Sequence, residues 1–179
     1  MPYLYLVRHA QPDFAGNYDS VTALGLRQSA WLGEHFAARD LRFARVASGS
    51  LQRQVHTLGA LLEQLPDAPA PVVDPRFNEY DAASVLAAHH CGDEPAMRAT
   101  GDRRGYFTAV RSALQAWSRQ EAAPTGTESW RGFGERVAGA ADAICADLEP
   151  TAAVLVVTSG GVIGRLVATA LGADAEAAI

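Results

Sequence analysis

Tyr3-Leu4-Tyr5-Leu6-Val7-Arg8-His9 begins with five aromatic and aliphatic residues and closes on two basic ones. An unbroken apolar run of that length suits a strand buried on both faces, which belongs in a parallel sheet rather than in a half-solvated hairpin. Ala153-Val154-Leu155-Val156-Val157 has the same character in purer form. Between these two runs, Thr22 to Ala38 sets Leu24, Trp31, Leu32 and Phe36 at helical spacing behind Thr22, a good cap. Phe43 to Ala47 reads as a further strand. It leads through Ser48, Gly49 and Ser50 into a helical pattern of Leu51, Val55, Leu58, Leu61, Leu62 and Leu65 that stops before Pro66.

Pro71 to Asp74 is a brief extended segment, and Pro75 argues against a helix continuing from it. Val85 to Ala88 reads as a short helix. His89 to Gly105 is polar and aperiodic and is expected to be an inserted loop or lid. Tyr106 to Gln120 and Thr127 to Leu148 are expected as helices separated by Pro124 and Gly126, with Thr127 as the second cap. Thr158 to Gly161 then turns the last strand into a helix carrying Ile163, Leu166, Val167 and Leu171. Strands alternating with helices imply an α/β fold, a three-layer α/β/α sandwich with a mostly parallel central sheet, in one domain over residues 1–179.

Composition narrows the function. With 20 acidic against 15 basic residues, the net charge of -5 speaks against a nucleic-acid or anionic-membrane surface. Every basic residue is an arginine, so Schiff-base and P-loop lysine chemistry are excluded. Cys91 and Cys145 are too few for a disulfide framework or a zinc site, and adjacent His89, His90 and Cys91 lack the further ligands a metal needs. No leader precedes the first strand and no apolar run reaches the length of a membrane span, so a cytoplasmic protein is expected.

Ligand sites of open parallel sheets lie beyond the carboxyl ends of the strands. Those positions hold Arg8 and His9, then Ser48 to Arg53, then Ser159 and Gly160. Two arginines, a histidine and a glycine-opened helix start facing one rim make the chemistry of an anion site.

Leu6-Val7-Arg8-His9-Ala10 resembles the Arg-His-Gly signature of the histidine phosphatase superfamily, with Ala10 in place of the glycine. Thr22-Ala23-Leu24-Gly25-Leu26-Arg27-Gln28 resembles that family's Thr-x-x-Gly-x-x-Gln helix start, and Ser48-Gly49-Ser50-Leu51-Gln52-Arg53 its second-arginine motif. Phe77-Asn78-Glu79-Tyr80 resembles its acidic loop, and Glu128-Ser129-Trp130 the start of a late helix. The ordered set is far more specific than any one motif. The resemblance implies a phosphoglycerate mutase-like fold and a metal-free phosphatase that needs no cofactor. His9 would take the phosphoryl group, with Arg8 and Arg53 on its equatorial oxygens and lowering the His9 pKa, and Glu79 as general acid and base. The family's second histidine is replaced by Ser159, as in a branch that shares the Thr-Ser-Gly-Gly form. The Ser159 hydroxyl and the Gly160 N–H would then be the remaining phosphate contacts. The implied partner is a small phosphorylated substrate or inorganic phosphate, with no nucleic acid and no membrane, and with a homodimer left open. Family members usually continue into further edge strands, which are not expected in this sequence after the last helix.

Other readings stand beside this one. Asp74 or Asp81 could take the role of Glu79, while His35 and His56 are assigned none. Phosphoglycerate-mutase-type transfer is the nearest rival function, followed by a catalytically impaired, phosphate-binding regulatory domain. A serine hydrolase at Ser159 lacks the first glycine of Gly-x-Ser-x-Gly, where Val157 stands. A dinucleotide site at Gly160-Gly161 has too little chain after it to complete the fold.

Overall fold

The apolar run ending the sequence pattern becomes the central strand. In the computed structural model, which describes residues 2–120 and 126–173, β4 (Ala153–Thr158) lies between β1 (Tyr3–Arg8) and β2 (Arg45–Ser48), and β3 (Val72–Val73) completes the sheet beside β2. All pairings are parallel, with Leu155 opposite both Tyr5 and Val46. Alternation along β4 divides the core into two layers. Leu155 and Val157 face α1 (Ala23–Ala37) and α2 (Gln52–Leu62), packing with Phe36, Leu58 and Leu61. Val154 and Val156 face the other way. There they meet Phe77, Val85 of α3 (Ala82–Ala88), Trp117 of α5 (Arg103–Ser118), Phe133 of α6 (Trp130–Cys145) and Val162 of α7 (Gly160–Leu171). Each fully buried large apolar side chain contributes about 1.5–3 kcal/mol, which makes this double-sided burial the main term holding the sandwich together.

The three-layer expectation is met, and several local boundaries shift for identifiable reasons. Thr22 caps α1 as expected, its hydroxyl accepting from Gly25 N–H at 3.0 Å. The start of α6 is set by Ser129 rather than Thr127, because the Ser129 hydroxyl accepts from Gly132 N–H at 2.9 Å. The segment 89–105, expected as irregular, holds α4 (Glu94–Ala99) and the first turn of α5. Asp93 and Asp102 cap these helices, accepting from Ala96 N–H and Gly105 N–H, each at 2.9 Å. A six-residue helix gives apolar periodicity too little length to show, so the caps were its only signal. Likewise α3 begins three residues earlier than its apolar pattern, where the Asp81 carboxylate accepts from Ala83 N–H at 3.0 Å. Pro124, and residues 174–179 where further edge strands were not expected, lie outside the described residues. Among the described residues no helix is long and apolar enough to cross a membrane.

Candidate active site

Every strand end delivers one part of a single cavity. Arg8 and His9 end β1, Arg53 stands in the first turn of α2 after β2, Glu79 follows the turn after β3, and Gly160 and Gly161 open α7 after β4. These residues line a cavity of about 790 Å³. The sequence expectation for Arg8, His9, Arg53, Glu79 and Gly160 is therefore a spatial cluster. The Arg8 guanidinium makes no hydrogen bond or ion pair among the described residues and lines the cavity uncommitted.

His9 is buried, and the carbonyl of Ala10 lies 2.9 Å from its Nδ1. A carbonyl only accepts, so Nδ1 carries the proton and Nε2 keeps the lone pair. Burial drives the His9 pKa down to about 4, mainly by disfavouring the imidazolium; the positive charges of Arg53 and Arg8 add to this, and the bond to Ala10 opposes it. The direction is the expected one, but burial rather than the arginines is its leading cause. The backbone on both sides of His9 is fixed: its N–H donates to the Thr158 carbonyl at 2.8 Å, and Ala10 N–H donates to Thr57 Oγ1 at 3.0 Å.

Glu79 is held from two sides. Gly161 N–H donates to Oε2 at 2.9 Å and Tyr80 N–H to Oε1 at 3.3 Å. A side chain at position 161 would collide with the Glu79 carboxylate and the Tyr80 ring, so the second glycine of the pair serves this approach. Desolvation raises the Glu79 pKa, outweighing those two N–H bonds and the charges of Arg53 and Arg8. The loop carrying it is tied down by Arg136, which donates to the carbonyls of Arg76 at 2.7 Å and Asn78 at 3.0 Å and grips Glu128 at 2.6 and 3.0 Å. The other candidate acids are engaged elsewhere. Asp81 caps α3, and Asp74 pairs with Arg76 at 2.7 Å.

Ser159 takes a different place from its glycine neighbours. It is buried outside the cavity lining, and its Oγ accepts from Gln54 Nε2 at 2.9 Å, while the same amide donates to the Phe77 carbonyl at 3.2 Å. His56 is exposed and off the cavity, and His35 contacts Arg39 at 2.9 Å. Among the described residues no group of three or more His, Cys, Asp or Glu could hold a metal ion.

Two residues absent from the motif reading belong to this site. Asp19 pairs with Arg53 Nη1 at 2.9 Å and accepts from Gln52 N–H at 3.1 Å and Arg53 N–H at 3.4 Å, so it caps α2 and aims its arginine together. Tyr18 lies against two cations, its ring centre 5.2 Å from the Arg53 guanidinium and 5.3 Å from that of Arg98, and its ring stands nearly perpendicular to that of His9 with centres 6.3 Å apart. Both sit in an irregular loop with no periodicity to mark them.

A family model described as the histidine phosphatase superfamily (branch 1) matches residues 4–179. No curated protein matches the sequence significantly. Among solved structures, the chain is similar to a mycobacterial glucosyl-3-phosphoglycerate phosphatase at 23% identity and a TM-score of 0.68, over 98% of this chain and 82% of that one. It is similar to a putative alpha-ribazole-5'-P phosphatase from Escherichia coli at 24% identity and 0.67, over 98% and 82%. It is also similar to a phosphoglycerate mutase from Bacillus anthracis at 17% identity and 0.63, over 93% and 78%. Further structures of the mycobacterial phosphatase are complexes with inorganic phosphate and with VO3. Likeness at these identities establishes the fold.

Proposed function

The chain belongs to the histidine phosphatase superfamily, and from that premise we propose that it is a metal-independent phosphatase acting on a phosphomonoester through a phosphohistidine at His9. The observation that carries this is the state of His9: a buried, neutral imidazole with Nδ1 committed to Ala10, its Nε2 lone pair available in a cavity shared with Arg8, Arg53 and Glu79. Nε2 attacks phosphorus while the ester P–O bond breaks and Glu79 gives its proton to the departing oxygen. Arg8 and Arg53 balance the charge on the equatorial oxygens. Arg53 Nε is buried with no partner among the described residues, a donor suited to one of those oxygens. Water then gives a proton to the Glu79 carboxylate as it attacks the phosphohistidine, releasing inorganic phosphate and restoring His9. The phosphate and VO3 complexes of the mycobacterial relative support an anion of this shape in the site.

The phosphate-binding domain without turnover is favoured by one feature, the burial of Ser159 against Gln54 at the position where the sequence resemblance would put a second histidine. Hydrolysis of an aryl phosphate in the presence of chelator separates the two. Turnover that survives chelation, disappears in His9→Ala and yields an acid-labile phosphoenzyme in the parent supports the phosphatase. Phosphate binding without turnover would support the domain.

A further inference from the structure

The cavity is much larger than a phosphoryl group requires, since about 790 Å³ lies in the range of roughly 300–1,000 Å³ typical of sites for drug-sized ligands. Its far wall is α5. Phe107, Val110, Arg111 and Leu114 all line it and stand at i, i+3, i+4 and i+7, one face of the helix. Ala113 and Trp117, on the adjoining strip of the helix, are buried in the core, and Val110 and Leu114 pack partly against it, which fixes the orientation of the lining residues.

The lining charges are almost all spent. Arg53 pairs with Asp19 and Arg98 with Glu94, the latter at 2.6 Å with Tyr106 also donating to Glu94. Asp81 caps α3 and Glu79 belongs to the chemistry. Arg8 serves the phosphoryl end. Arg111 alone is left: it lines the cavity and, among the described residues, has no hydrogen bond, ion pair or aromatic partner. Beside it Phe107 stays 46% exposed, its ring against Phe14 and Tyr106, and lines the cavity. An apolar strip interrupted by one unpaired cation is the complement of an apolar body carrying an anion.

We propose that this face of α5 is the leaving-group subsite, with Arg111 as its specificity-determining residue. The substrate is then a phosphomonoester whose leaving group has a flat or aliphatic body and a second anionic group, a carboxylate or another phosphate, at the end away from the scissile bond. This rests on the phosphatase reading of the same cavity. The body packs on Phe107, Val110 and Leu114, and the second anion pairs with Arg111.

The test compares biphenyl-4-yl phosphate with its 4'-carboxylate in the parent, in Arg111→Gln and in Arg104→Gln, an exposed arginine of the same helix off the cavity. The parent should favour the carboxylate by roughly tenfold in kcat/KM, as expected for one partly solvated charge-assisted contact. That ratio should fall to near one in Arg111→Gln and persist in Arg104→Gln. Turnover without preference for the carboxylate, or a preference that survives Arg111→Gln, overturns the subsite and leaves the phosphatase reading intact. The matching non-hydrolysable phosphonates, measured by calorimetry, give a readout independent of turnover. If no ester is hydrolysed but the carboxylated phosphonate binds more tightly to the parent than to Arg111→Gln, the phosphatase reading falls and the leaving-group role with it, while the pairing of Arg111 with the second anion stands.

Discussion

Gln54 Nε2 lies 2.9 Å from Ser159 Oγ, joining the helix after β2 to the turn after β4 beneath the cavity. Both side chains are buried, so the space between two strand ends is filled by a neutral hydrogen-bonded pair. Ser159→Ala leaves one Gln54 N–H without its acceptor and should cost about 1–3 kcal/mol. Ser159→His must force a larger ring into closed packing and should also cost about 1–3 kcal/mol. Denaturant midpoints check both. A Ser159→His protein as stable as its parent and faster in turnover would show that the position opens to the cavity.

The neutral form of His9 should persist to unusually low pH. With its pKa at about 4 instead of 6.5, the acidic limb of kcat/KM is expected near pH 4. The same shift acts on stability. Between about pH 4 and 6.5 the unfolded chain binds the proton that folded His9 refuses, so its contribution is complete above 6.5 and is lost progressively as pH falls through that window. The shift corresponds to about 3 kcal/mol at most. His9→Gln should flatten that part of the stability profile; an unchanged slope would mean that the imidazole is not buried as described.

Glu79→Gln should lower kcat by about 10²–10⁴ for alkyl phosphates, whose leaving oxygen needs a proton. For 4-nitrophenyl phosphate the loss in the first step should be much smaller, because that leaving group departs as an anion. The raised pKa of Glu79 keeps the acid form to higher pH than an ordinary carboxyl, so the basic limb of the profile should disappear in this variant. Equal losses with both leaving groups would remove Glu79 from the acid role.

Asp19 acts through Arg53 as a positioning residue. Asp19→Ala removes the partner of Arg53 and the cap of α2, and should lower kcat/KM about 10- to 100-fold, near 1.4–2.7 kcal/mol. Asp19→Asn keeps one oxygen, which can still accept from Arg53 Nη1 and Arg53 N–H but not also from Gln52 N–H, and should recover part of that loss. A merely structural role would show instead as a fall in melting temperature with kinetics unchanged.

The layers of this fold were legible because two apolar runs and three amphipathic patterns carry periodicity directly, and the motif order then placed Arg8, His9, Arg53 and Glu79 at strand ends. What escaped was whatever depends on caps and irregular loops. α4 offers six residues and no apolar face, so only Asp93 and Asp102 announced the helical content of 89–105. Asp19 and Tyr18 reach Arg53 across a separation in sequence that no spacing rule covers. The placement of Ser159 was unreadable because it depends on Gln54, a partner from another strand end.

The central position of β4 also governs when this protein can fold. β1 is made first, yet among the described strands its one neighbour is β4, made last. A nascent chain that has not reached residue 153 can pair only β2 with β3, over two residues, and β1 waits with its apolar faces uncovered. Completion of the sheet thus waits until residues 153–158 have been made, and the long interval with an unpaired hydrophobic strand is when the chain is most exposed to misassociation.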